Sequence, residues 1–177
     1  MPVRNIVLLS LGLAVATVIG CGSSAGPTTA IAPPAVAHDA RYVLAEEPAD
    51  AQPVIAVRKD AKDGDEVTIT GRIGGDVDPW VKGRATFVIV DPTLKACSER
   101  EGDSCPTPWD FCCEDIGHLN QSKATIKIVD DAGETISTDA RELLGVTVLQ
   151  TVTIRGQAKR DEAGNLTVLA KGVYVKR

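Results

Sequence analysis

The stretch Val67-Thr68-Ile69-Thr70-Gly71-Arg72-Ile73 decides how the rest of the chain is read. Val67, Ile69 and Ile73 alternate with Thr68, Thr70 and Arg72, the period-two pattern of a strand with one face buried. Gly71 sits mid-strand, where a missing side chain lets the strand coil sharply. The same logic carries outward along the chain. Residues 85–90 read as a second strand, apolar apart from Thr86. Residues 124–129 read as a third, with Ile126 and Ile128 on one face and Thr125 and Lys127 on the other.

Asp131-Ala132-Gly133 is a turn, and residues 139–144 are a short helix with Asp139 as N-cap. Residues 148–158 give a fourth strand, with Val152, Ile154 and Ala158 opposite Thr151, Thr153, Arg155 and Gln157. Gly156 repeats the mid-strand glycine. Residues 161–165 then turn the chain into a last strand over residues 166–175. This order (three strands, short helix, two strands) resembles the OB-fold, a five-stranded Greek-key barrel. The resemblance rests on element order and the two glycines. It implies a mainly β domain, residues 54–177, in which an OB-fold-like barrel carries a short helix between strands three and four. Hydrophobic residues make up 44% of the chain but aromatics only 3%, so the core must be aliphatic.

Upstream of the barrel the chain changes character twice. Arg4 precedes an apolar run, residues 6–19, that is short for a membrane span but suits a signal segment. The run ends in Val18-Ile19-Gly20-Cys21, which resembles the lipobox of bacterial lipoproteins. That resemblance implies a signal peptide over residues 1–20, cleavage before Cys21, and diacylglycerol on the Cys21 thiol. Palmitate or a similar acyl chain on the new amine would make the anchor stable. Gly22 in place of Asp resembles the pattern sorted to the outer membrane, facing the periplasm, in a Gram-negative envelope. Residues 21–53 are rich in Ala, Pro, Ser and Thr and read as an extended tether. A short helix near residues 41–47 is the one local alternative within it.

Between strands two and three lies an insertion, residues 91–122, that holds every cysteine beyond Cys21: Cys97, Cys105, Cys112 and Cys113. Outside the cytoplasm four such cysteines are expected to form two disulfides. Bridging the neighbours Cys112 and Cys113 is strained, so Cys97 and Cys105 would each pair with one of them. The alternative is a metal site, zinc or copper, drawn from Cys97, Cys105, Cys112, Cys113 and His118. No C-x₂-C knuckle supports it. A redox role is disfavoured by Glu114 and Asp115, which would raise the thiol pKa values. Trp109-Asp110-Phe111-Cys112-Cys113-Glu114-Asp115 resembles a segment of uncharacterised envelope lipoproteins. Trp109 and Phe111 are expected to pack on the barrel.

Catalysis finds little support, because two histidines, His38 and His118, must serve every purpose. There is no HExxH, phosphate-binding loop or dinucleotide fingerprint, and no catalytic residue or resident cofactor is expected. A formal net charge of -5 speaks against a nucleic-acid backbone as partner. The main expectation is therefore a lipid-anchored, non-catalytic binding or scaffold module for an envelope protein or glycan. OB-folds bind on the face of strands two and three and the adjoining loops. Here that selects Trp80, Lys82, Thr125, Lys127, Lys159 and Arg160 as ligand-face candidates.

Overall fold

The computed structural model describes residues 39–177, so the signal segment, Cys21 and most of the tether lie outside the described residues. Six strands and three α-helices are described: β1 Gln52–Pro53, α1 Val54–Asp60, β2 Glu66–Ile73, β3 Thr86–Val90, α2 Ile116–Gln121, β4 Lys123–Ile128, α3 Ala140–Leu144, β5 Thr151–Arg160 and β6 Leu166–Val175.

Five of the strands close on themselves. β2 pairs antiparallel with β3 and with β5, β3 with β4, and β5 with β6, while β4 and β6 run parallel. The circuit β2-β3-β4-β6-β5-β2 is that of the OB-fold barrel, with α3 inserted between β4 and β5. β1 adds a two-residue parallel edge to β2.

Alternation in the sequence becomes burial in the barrel. Ile69, Ile73, Ile126, Ile128, Val152 and Ile154 are fully or almost fully buried in one aliphatic core. Helix α3 presents Ala140, Leu143 and Leu144 to that core. It starts where Asp139 accepts a hydrogen bond from the Arg141 N–H and ends at Gly145 in the left-handed conformation. The bend of β5 falls at Gly156, beside a register shift against β6. A Cβ there would stand 2.2 Å from the Leu169 carbonyl oxygen, so only glycine permits the approach.

Three readings need correction. The fourth strand begins at Thr151 rather than at residue 148, because Leu149, two residues before it, takes a left-handed conformation (φ 64). Residues 54–60, where the mainly β domain was expected to begin, form helix α1. Residues 39–53, read as the end of the tether, lie against the barrel. Tyr42 is buried in the core, Val43 bridges Val173, and the Asp39 N–H donates to the Leu143 carbonyl. No helix forms at residues 41–47. Composition missed these contacts because a few apolar residues suffice when a preformed barrel receives them.

Candidate metal centre

The insertion is fastened to the barrel before it builds its own site. Gly75, just past β2, donates its N–H to the Trp109 carbonyl at 2.8 Å. Neighbouring Gly74 leaves no room for a side chain, since a Cβ would lie 2.4 Å from the same oxygen. Phe111 is fully buried with Val90, Leu94, Ala96 and Leu119 in a second apolar cluster, as the sequence led one to expect. Trp109 is only half-buried, and its indole N–H donates to the Val77 carbonyl. Arg72 of β2 reaches across to Glu99 at 2.8 Å, and Glu99 also accepts from the Ala96 N–H.

These fixings carry Cys97 on one short 3₁₀ turn, Cys97–Glu99, towards a second, Pro108–Asp110. Phe111 then takes a left-handed conformation (φ 57, ψ 31) that reverses the chain. In the reversed chain the Cys112 N–H donates to Asp110 Oδ1 at 2.9 Å. Asp110 is buried, and its other oxygen accepts from the Thr107 hydroxyl at 2.8 Å.

Around the held carboxylate the sulfurs converge. Cys97 Sγ and Cys105 Sγ stand 3.9 and 4.0 Å from Asp110 Oδ1. Cys112 Sγ is 3.6 Å from Cys97 Sγ and 3.5 Å from Cys105 Sγ. One ligand atom from each of Cys97, Cys105, Asp110 and Cys112 lies within 4.8 Å of every other. A second group, Cys97, Asp103 and Cys113, shares the buried Cys97.

The expected disulfides are overturned by these distances. All four cysteines are free thiols, and a disulfide requires sulfurs about 2.05 Å apart. Cys112 Sγ is nearly equidistant from Cys97 and Cys105, so the sulfurs surround a common point with a carboxylate and do not form pairs. The metal alternative is corrected at His118 and extended by two carboxylates. Cys113 belongs to the second group, where it is hydrogen-bonded to Asp103 at 3.5 Å. His118 lies on exposed α2, where Nδ1 is 3.6 Å from Glu114. Asp110 joins the first group and Asp103 the second, and the sequence reading named neither as a ligand. The available signal was Asp110 two residues before Cys112, a spacing at which an Asp side chain meets the backbone N–H.

Electrostatics distinguish the members. Burial acts to raise the Asp110 pKa, but hydrogen bonds from the Cys112 N–H, the Thr107 hydroxyl and the thiols outweigh it and hold it below the usual carboxylate range. The Cys105 thiol is lowered, chiefly by the Thr107 N–H and then by the Cys112 thiol. Cys112 is raised by its hydrogen bonds to Cys105 and Cys97 and by Asp110. Cys113 is pushed up to about 11 by Cys97, by burial and by Asp103. The carboxylates that face the thiols are therefore Asp110 and Asp103. Glu114, one of the two expected to act on them, is instead engaged by Arg100 and His118.

The ligand-face candidates are dispersed. Trp80 packs on Phe87 with ring centroids 5.8 Å apart, under the Arg141 guanidinium. Lys82 is exposed in the loop before β3, and Lys159 pairs with Asp63 at 3.5 Å. Thr125 and Lys127 lie on β4, Thr125 lining a cleft with Lys123, Asn165 and Thr167. Arg160 is bound to backbone carbonyls at the end of α1.

The fold and the site together define an OB-fold-like barrel carrying a thiol and carboxylate cluster suited to a metal ion. Among the described residues there is no catalytic grouping, and no helix is long and apolar enough to cross a membrane. No family model and no curated protein matches the chain. Among solved structures it is similar to the hypothetical protein ygiW from E. coli, with 15% identity over 69% of this chain and 86% of that one. The TM-score is 0.35, too slight a likeness to carry fold or function.

Proposed function

We propose that the chain is a metal-handling envelope lipoprotein in which Cys97, Cys105, Cys112 and Asp110 hold one zinc ion at the side of the barrel. The observation that carries this reading is the mutual proximity of three sulfurs and one carboxylate oxygen. With Zn–S bonds of about 2.3 Å and a Zn–O bond of about 2.1 Å, a tetrahedral site has S···S edges of about 3.8 Å and S···O edges of about 3.6 Å. The measured separations of 3.5 and 3.6 Å between sulfurs, and of 3.9 and 4.0 Å to oxygen, are within a few tenths of an ångström of those edges. Ligation displaces the thiol protons, so the raised Cys112 pKa makes zinc binding compete with protons. The hard oxygen of Asp110 favours zinc over copper(I), which prefers sulfur alone.

Elemental analysis and thiol titration of the purified full chain test this reading. One equivalent of zinc is expected, with release and newly reactive thiols on chelation, and Cys112→Ser should abolish zinc retention. A metal-free chain that neither takes up zinc nor changes its thiol reactivity when zinc is added overturns it.

The envelope address rests on the lipobox. Tether residues 21–38 would then link the barrel to a membrane through Cys21. Labelled palmitate should enter the parent chain and be absent from Cys21→Ala; equal labelling of both refutes the anchor.

A further inference from the structure

Beside the last turn of α1 a cavity of about 400 Å³ opens, lined by Ile55, Arg58, Lys59, His118, Ser122 and Arg160 among others. No carboxylate lines it, in a chain of net charge -5. Among the described residues Arg58, Lys59 and Arg160 make no ion pair. Their positions are nevertheless fixed. Arg58 Nη1 donates to the Lys123 carbonyl at 2.9 Å, and Arg160 donates to the carbonyls of Val57, Arg58, Ala61 and Gly164.

Carbonyls orient a guanidinium without cancelling its charge, and they leave further N–H groups of Arg58 and the whole Lys59 ammonium uncommitted. Ser122 is wholly buried, and its hydroxyl has no hydrogen-bond partner. A buried polar group left unpaired calls for an explanation, and a ligand is one. Four carboxylates lie next to the lining without being part of it: Asp91 accepts from the Ile55 N–H, Asp63 accepts from the Arg160 backbone N–H, Asp161 acts on Arg58, and Glu114 is 3.6 Å from His118 Nδ1.

We propose that this cavity binds a phosphate group, either free phosphate or the phosphodiester of a lipid headgroup. Arg58 and Lys59 supply charge and Ser122 supplies a hydroxyl donor. Several donors converging on one volume suit a tetrahedral anion with oxygens on every side better than a planar carboxylate. The site is separate from the metal centre and does not depend on it.

The test is titration of the full chain with inorganic phosphate and, in a second arm, with glycerophosphoglycerol, at constant ionic strength and followed by ³¹P NMR. Acetate serves as the comparison anion. Lys59→Gln and Ser122→Ala are the informative variants, since neither removes a contact within the barrel, and unchanged circular dichroism verifies their fold. Saturable binding is expected, weakened about tenfold in each variant by loss of one charge-assisted donor or hydroxyl. Binding of phosphate assigns the free anion, and binding of the diester alone assigns the headgroup. Binding of neither, binding in both variants as tight as in the parent, or acetate binding as tightly as phosphate overturns the proposal.

Discussion

Asp110 is the residue on which the cluster turns, because it is buried and both of its carboxylate oxygens are held by hydrogen bonds. The Thr107 hydroxyl holds Oδ2, and the Cys112 N–H holds Oδ1 against the sulfurs. Groups that orient a ligand typically change metal affinity by about 10–100-fold when removed. Thr107→Val should therefore weaken zinc binding by about tenfold while leaving the ligand set intact. Competition with a chromophoric chelator measures this, and an unchanged affinity would remove Thr107 from the account. The cysteines themselves were visible in the sequence as a group of four, but their arrangement was not. A spacing of seven and six residues, with no C-x₂-C knuckle, pointed to disulfides before metal. What separates the two is the left-handed turn at Phe111, a non-glycine residue whose conformation no local preference foretells.

At the scale of elements, helix α3 and the barrel strands were legible because their signals are local. The start of β6 follows from the turn that precedes it, and its first half from the alternation of Leu166, Val168 and Ala170. Asp139 was readable as the N-cap of α3, and it accepts from the Arg141 N–H at 3.0 Å. Its carboxyl is held below the ordinary range chiefly by the Arg141 guanidinium, with burial opposing. A depressed carboxylate stabilises the fold above its unfolded pKa, and that contribution is lost as pH falls through the folded value. Asp139→Ala should therefore cost about 1 kcal/mol at neutral pH. Chemical denaturation should show the gap to the parent closing in acid; a gap independent of pH would contradict this cap.

Helix α1 was illegible for the opposite reason. Its preceding residue, Pro53, makes no side-chain cap, and the Ile55 N–H is satisfied by Asp91, 36 residues away. Asp91 is itself buried at the start of the insertion and also accepts from Thr93. Only the closed barrel brings these two segments together. The contact ties α1, and with it the phosphate cavity, to the loop that carries the cysteines.

Across the whole molecule two apolar bodies divide the work. The main core joins all five barrel strands and α3, and the smaller cluster around Phe111 belongs to the insertion and to the end of β3. The barrel core contains no cysteine, and the insertion has its own apolar cluster and its fixings to β2. Such a division suits a site that gains and releases an ion without disturbing the fold. The barrel was legible from the sequence because alternation reports burial. The appendage was not, since nothing in a 32-residue insertion says which side chains meet.

Zinc K-edge X-ray absorption on the zinc-loaded full chain tests the central claim most directly. The account predicts three sulfur neighbours at about 2.3 Å and one oxygen at about 2.0–2.2 Å, with the oxygen neighbour altered in Asp110→Ala. A shell of four sulfurs, or one without sulfur, would contradict it.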